Sequence, residues 1–397
     1  MEKEVIKNDK LFRNLCRRKQ LSKHTKRAYI TALTEYCTLT CKTPSELRTE
    51  AYKEQMTIPD KLARSINIYM EDYLDFLENK KLMNSSIHLK ISKIRAFYNE
   101  YDIDLPKPVK FKRDKVIKRG SDIVTMDHIR KAVNSTPSFK YKAMITFLAS
   151  SGMRSTDMRL LKVQDFIDAT CYYHDKRGIQ DVIKEIEGRQ VIPCWDFYSE
   201  KTDIPTITFN TPECTDYIIT YLKQRDNLKN DQFLFCPENS DGYRIYNRIS
   251  IILIFKKIND RLSFGQLPNS YHFFRAHKLR SFFASTLNKN SVPYAVYKKM
   301  MGQSMSGVDM AYIKVNKDTC KREYLRCIRD LTTERVEVKK VTPDEIKKIV
   351  EENKNLKTDV EGLKEEMGDY KEFLPVIRAF AKNPEKLKDI IEKLGQI

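Results

Sequence analysis

Residues 151 to 157 read Ser151-Gly152-Met153-Arg154-Ser155-Thr156-Asp157. The apolar run that begins near Tyr141 has helical spacing and stops at Gly152, a residue type that ends helices in the left-handed conformation. A second helix is expected to start immediately after Arg154. That places a permanently charged guanidinium beside the free amides of a helix N-terminus, an arrangement suited to an anion.

Three more segments stand out downstream. Lys201 falls at the tip of a hairpin expected within a β-rich insert from Val191 to Phe209, where aromatic and β-branched residues flank the turn Ser199-Glu200-Lys201-Thr202-Asp203. His277-Lys278-Leu279-Arg280 brings an imidazole and a guanidinium onto one helix face. Tyr312 closes Asp309-Met310-Ala311-Tyr312. Taken singly, each has an ordinary explanation: a surface ion pair, a solvated lysine, a core tyrosine. His272-Phe273-Phe274-Arg275 also repeats the H-x-x-R spacing five residues before the second pair.

Composition narrows the field. Among 397 residues, 73 Lys and Arg stand against 54 Asp and Glu, for a net charge of +19 with 32% charged and 41% hydrophobic residues. The longest apolar stretch, Ile249 to Phe255, is interrupted by Ser250, whereas a membrane-spanning helix needs about 20 apolar residues. Met1-Glu2-Lys3-Glu4 has no secretory pattern, so an intracellular, cytoplasmic protein is expected. Nine cysteines include no C-x-x-C pair, so neither a disulfide framework nor a metal site is indicated, and they are expected to be reduced and mostly buried. The first 342 residues hold 62 basic and 41 acidic side chains, net +21. A surplus of that size points to a polyanion, most simply nucleic acid.

The expected organisation is mainly α-helical. Residues 1–104 form a small helical domain, with one helix capped by Ser22 and running to residue 40, a second around Leu62 to Leu77, and a third around Ile87 to Tyr98 preceded by Asn84-Ser85-Ser86 as capping material. Lys23, Lys26 and Arg27 on the first helix, and Lys90 and Lys93 on the third, are its candidates for contact with phosphates. Residues 105–120, LPKPVKFKRDKVIKRG, carry two prolines and seven Lys or Arg and read as a basic linker, in which Lys110, Lys112, Arg113 and Lys115 are further candidates. Residues 121–335 form a second, α-rich domain with the small β-sheet insert. A helical tail occupies 342–397: Thr342, Pro343 and Glu345 make a helix start, and Ile346, Ile349, Asn353, Leu356, Val360, Leu363, Met367, Tyr370 and Leu374 alternate spacings of three and four, as in a parallel coiled coil.

The segments taken together, in this order, resemble the tyrosine recombinase (phage integrase) family, with a flavour closest to archaeal and mobile-element integrases. Arg154 and Asp157 in SGMRSTDMRLLKVQDF match its arginine box, Lys201 in SEKTDIPTITF its hairpin lysine, and His277 and Arg280 in HKLRSFFAS its H-x-x-R box. Met301-Gly302-Gln303 stands nine residues before Tyr312, where the family carries Gly-His. Gln303 departs from that pattern: its amide can donate a hydrogen bond but cannot carry a proton or a charge.

The resemblance implies the tyrosine recombinase fold and strand cleavage by Tyr312 through a 3′-phosphotyrosine, without metal, ATP or other cofactor. Arg154 and Arg280 would hold the nonbridging oxygens, since fixed guanidiniums suit that charge. His277 would accept the tyrosine proton or bond the phosphate, Lys201 would protonate the departing 5′ oxygen, and Asp157 would brace the site. The expected partners are double-stranded DNA carrying a target site and further copies of the chain, as a dimer or a tetramer on DNA, with no membrane. A topoisomerase-like strand relaxer and a weakened DNA-binding accessory factor, the latter encouraged by Gln303, are the alternatives.

Overall fold

The computed structural model describes residues 2–108, 122–238, 240–267, 271–305 and 315–333. The chain divides into two compact units, Met1–Asp122 and Ile123–Ile397. The tail and its heptad pattern, Tyr312, and the linker residues Lys110, Lys112, Arg113 and Lys115 lie outside the described residues.

The first unit contains α1 (Lys3–Asn8), α2 (Lys10–Arg18), α3 (Lys23–Thr40), α4 (Pro44–Thr57), α5 (Ser65–Asn79) and α6 (Asn84–Glu100). Ser22 caps α3 by accepting from the Thr25 amide, and Thr43 with Glu46 forms a capping box on α4, where Pro44 needs no amide partner. The capping expected of Asn84-Ser85-Ser86 is not made. Met83 is the N-cap of α6, and its carbonyl accepts from Ser86 and Ile87, which draws all three residues into the first turn. The core is aromatic: Tyr36, Tyr73, Phe97 and Tyr98 are fully buried, and Tyr36 and Tyr98 join hydroxyls at 3.3 Å. Burial of a phenol without a partner would cost a few kcal/mol, so the paired hydroxyls are what make this core tolerable.

The candidate phosphate contacts of this unit separate into two kinds. Lys23, Lys26 and Arg27 are exposed on α3. Lys90 is instead ion-paired with Glu35, and Lys93 lies 4.9 Å from the centre of the Tyr29 ring.

In the second unit, α7 (Met126–Asn134) leads to α8 (Phe139–Ser151), then come α9 (Ser155–Met158), α10 (Val163–Thr170) and α11 (Ile179–Ile186). Strands β1 (Cys194–Tyr198) and β2 (Pro205–Phe209) pair antiparallel, with Trp195 opposite Thr208 and Tyr198 opposite Pro205. Four helices follow: α12 (Pro212–Lys223), α13 (Arg248–Arg261), α14 (Ala276–Lys289) and α15 (Tyr294–Met300). The last described helix is α16 (Lys317–Leu331).

Helix α8 runs through the middle of this unit, with every residue from Ala143 to Ser151 buried. Its three buried hydroxyls are tolerated because Thr146, Ser150 and Ser151 each donate to the carbonyl four residues earlier, at 2.9, 2.7 and 2.6 Å. The sheet docks on this helix: Thr208 donates to the Ser151 carbonyl at 2.6 Å, and Trp195 meets Phe147 edge-on with ring centres 5.1 Å apart. Helix α8 and the hairpin are thereby fixed to each other at the residue where the arginine segment begins. All nine cysteines are free thiols; five are buried, whereas Cys41 and Cys171 are exposed. Among the described residues no helix is long and apolar enough to cross a membrane.

Candidate active site

Gly152 ends α8 with φ +60°, and a Cβ there would lie 2.1 Å from the Phe283 ring of α14. Both the left-handed backbone and the close ring therefore require glycine. The reversal delivers Arg154 to the N-cap position of α9 in an extended conformation. From there its Nη1 donates to Ser199 Oγ at 2.7 Å and its Nη2 to the Gly302 carbonyl at 3.0 Å.

Arg280 reaches the same place from α14. It is 8% exposed, donates through Nη1 to the Gly152 carbonyl at 2.5 Å, and donates through Nη2 to the Met301 carbonyl. The two guanidiniums thus address successive carbonyls, Met301 and Gly302, at the end of α15. That end is a Schellman turn: the Gly302 amide bonds the Lys299 carbonyl at 3.3 Å, and the Gln303 amide bonds the Lys298 carbonyl at 3.0 Å. Carbonyls at a helix C-terminus carry partial negative charge, which offsets part of the cost of burying two cations. The offset is incomplete. Burial, and then the charge of Arg154, push Arg280 down from the ordinary guanidinium value to about 10.

Asp157 closes the arrangement from α9. Its side chain is 3% exposed and lies 3.8 Å from Arg154 Nη1, too far for a hydrogen bond. Its closer partners are on the hairpin: Ser199 Oγ donates to Oδ2 at 2.9 Å, and the Glu200 amide donates to Oδ1 at 3.1 Å. Ser199 therefore stands between Arg154 and Asp157. Its place in SEKTD was visible in the sequence, but nothing local there marks a partner 45 residues away.

Among the sequence-derived site residues, Arg154, Asp157, Arg280 and the Gly302-Gln303 turn come together. Lys201 is exposed in the turn between β1 and β2, two residues beyond Ser199. His277 is exposed in the first turn of α14. It helps line a cleft of about 460 Å³ that also takes in Ser155, Thr156, Arg159, Arg248, Lys256 and Arg275, with four Lys or Arg side chains on its walls. The earlier H-x-x-R pair does not join the two arginines. Arg275 is the N-cap of α14, bonds the His272 carbonyl at 2.8 Å and stacks 4.8 Å from the Tyr271 ring centre. Among the described residues no three His, Cys, Asp or Glu side chains gather as a metal site.

Two arginines held side by side against carbonyls, with one buried carboxylate beside them, have the charge and rigidity that suit an anion. No family model matches the chain. The chain is 22% identical over 269 residues to the tyrosine recombinase XerD of Rickettsia conorii, a similarity covering 65% of this chain and 82% of that relative. Solved structures similar to it include the Tn1549 transposon integrase in complex with circular intermediate DNA (15% identity, 80% of this chain and 98% of that one, TM-score 0.49). The XerH recombinase bound to its difH substrate is 13% identical, over 79% of this chain and 82% of that one, with a TM-score of 0.48. The similarities are thus to tyrosine recombinases and integrases.

Proposed function

We propose that the chain is a site-specific DNA recombinase of the tyrosine type, and that it cuts and rejoins strands through a 3′-phosphotyrosine on Tyr312. The observation that carries this reading is the convergence of Arg154 and Arg280 on the Met301 and Gly302 carbonyls, immediately before Gln303 and its nine-residue spacing to Tyr312. Attack on a phosphodiester builds negative charge on the nonbridging oxygens, and two guanidiniums fixed beforehand stabilise that charge without reorganising. They supply the positive charge that a metal ion supplies in other phosphoryl-transfer sites. His277 and Lys201 are the proton carriers of this reading, with Gln303 as an amide donor to the phosphate. The ester to Tyr312 conserves the energy of the broken bond, so a second 5′ hydroxyl can reverse the step. The surplus of +21 over the first 342 residues fits a duplex DNA partner, with Lys23, Lys26, Arg27 and the linker cations on its backbone. In this reading the protein works on DNA in the cytoplasm, and the heptad tail helps protomers pair.

The test uses nicked duplexes made from the repeats that flank the gene. A denaturant-resistant protein–DNA adduct mapping to Tyr312, and absent from Tyr312→Phe, is the expected result. An adduct on another residue would overturn the nucleophile, and none at all would leave a DNA-binding factor. Strand exchange between two marked duplexes, set against relaxation of a supercoiled circle, distinguishes recombinase from relaxer.

A further inference from the structure

We infer that Ser199 is a positioning residue that ties the Lys201 hairpin to the arginine box, so that the acid and the phosphate clamp keep a common frame. This deepens the recombinase reading above and rests on it.

The hydroxyl of Ser199 uses both of its capacities. It accepts from Arg154 Nη1 at 2.7 Å and donates to Asp157 Oδ2 at 2.9 Å, and the residue is 1% exposed. Its backbone makes the turn: the Ser199 amide bonds the Ile204 carbonyl at 3.1 Å, and its own carbonyl accepts from Thr202 at 3.2 Å and Asp203 at 2.8 Å. The Glu200 amide adds the bond to Asp157 Oδ1. Two buried anchors on one carboxylate thus hold the entry to the turn, and Lys201 follows directly.

Past that point the turn has no comparable hold. Lys201, Thr202 and Asp203 are exposed, and Asp203 takes a positive φ of 51°. The position of the lysine is therefore set by the anchor before it. Arg154 does not depend on Ser199 to the same degree, because its second fork arm is held independently by Gly302. Loss of the hydroxyl should consequently be felt in protonation of the departing oxygen more than in binding of the phosphate.

The experiment measures the rate of covalent adduct formation by the full chain on a nicked duplex and on the same duplex with sulfur at the 5′ bridging position, whose thiolate leaves without an acid. Ser199→Ala is expected to slow cleavage of the oxygen substrate about 10- to 100-fold at little change in DNA affinity. It should be nearly as fast as the unmodified chain on the sulfur substrate. In a Lys201→Ala background the added Ser199→Ala should cost at most about two-fold, because both act at one step. Ser199→Thr, which keeps the hydroxyl, should cleave within a few-fold of the unmodified chain and guards against a mere folding defect. If Lys201→Ala is rescued by sulfur but Ser199→Ala is not, or if the two losses multiply, this inference falls and the role of Lys201 stands. If Lys201→Ala cleaves the oxygen substrate at full rate, the reading of Lys201 as the acid falls and the inference falls with it.

Discussion

Arg154 Nη2 donates to the carbonyl of Gly302 at 3.0 Å, and residue 302 is confined there by its left-handed backbone and by Thr206 of β2. Gly302 has a φ of +53°, and a Cβ on it would lie 2.4 Å from Thr206 Oγ1 and 3.4 Å from Arg154 Nη1. Gly302→Ala should therefore cost roughly 1–3 kcal/mol, from the left-handed backbone and the clash with β2. Adding Thr206→Ala should relieve the clash and leave the backbone part. Urea denaturation midpoints of the single and double variants check this; equal midpoints would mean that β2 simply moves away.

The backbone-determined parts of this site were legible in the sequence. Gly152 marked the end of α8, the turn residues of SEKTD marked the hairpin, and helical spacing put His277 and Arg280 on one helix, α14. These are local signals, each set by the φ/ψ needs or periodicity of a few neighbours. What stayed hidden depends on partners far apart in the chain. Ser199 meets residues 45 and 42 positions away, and Lys90 meets Glu35 across 55. The residues that follow His277-Lys278-Leu279-Arg280 and its distance to Tyr312 favoured that H-x-x-R pair in the sequence, and packing adds that Arg280 joins Arg154 at the end of α15 while Arg275 caps its helix.

That packing gives the arginines different weights. Arg280→Ala should lower adduct formation by several orders of magnitude, since it removes one of two fixed charges from the proposed phosphate clamp. Arg275→Ala, which loses a bond to the His272 carbonyl and a stacked Tyr271, should lower it less than about ten-fold. Single-turnover cleavage by the two variants decides; the reverse ranking would transfer the clamp to the earlier pair.

Arg280 also predicts a pH dependence. Burial, and then the charge of Arg154, push it down to about 10, below an unperturbed guanidinium. For a cation lowered in this way, the cost of keeping it charged in the folded state is present in full below about 10 and is relieved as pH rises from there toward the unperturbed value. An anion between the two arginines offsets that cost only while Arg280 is protonated. Sulfate, whose own charge is constant in this range, should raise the unfolding midpoint by about 2–4 °C at about pH 8, at roughly ten times its dissociation constant. The gain should fade as pH passes about 10. Arg154→Ala supplies the baseline for general salt effects; an identical sulfate response in that variant would place the anion elsewhere.

The last prediction separates cations available to a ligand from cations already engaged. Lys23, Lys26 and Arg27 are exposed on α3, whereas Lys90 is paired with Glu35 and its side chain is 20% exposed. Burial acts to raise the Glu35 carboxyl, but the hydrogen bond and charge of Lys90, followed by Lys80 and the Tyr73 hydroxyl, outweigh it and leave Glu35 below its ordinary value. A carboxylate lowered in the folded state stabilises the fold above its unfolded pKa, and that contribution is lost as pH falls through the folded one. Lys90→Met should therefore destabilise the first unit at neutral pH and flatten its acid unfolding, while the dependence of DNA binding on salt stays unchanged. Neutralising Lys26 and Arg27 should do the opposite, leaving stability intact and reducing the slope of log K against log salt by about 0.9 for each phosphate that is no longer neutralised. Titrations of a fluorescent duplex between about 50 and 200 mM salt, the range over which phosphate neutralisation changes affinity steeply, read the slope directly. A Lys90→Met slope that falls as far as that of the α3 variants would mean that Lys90 leaves Glu35 for the DNA backbone.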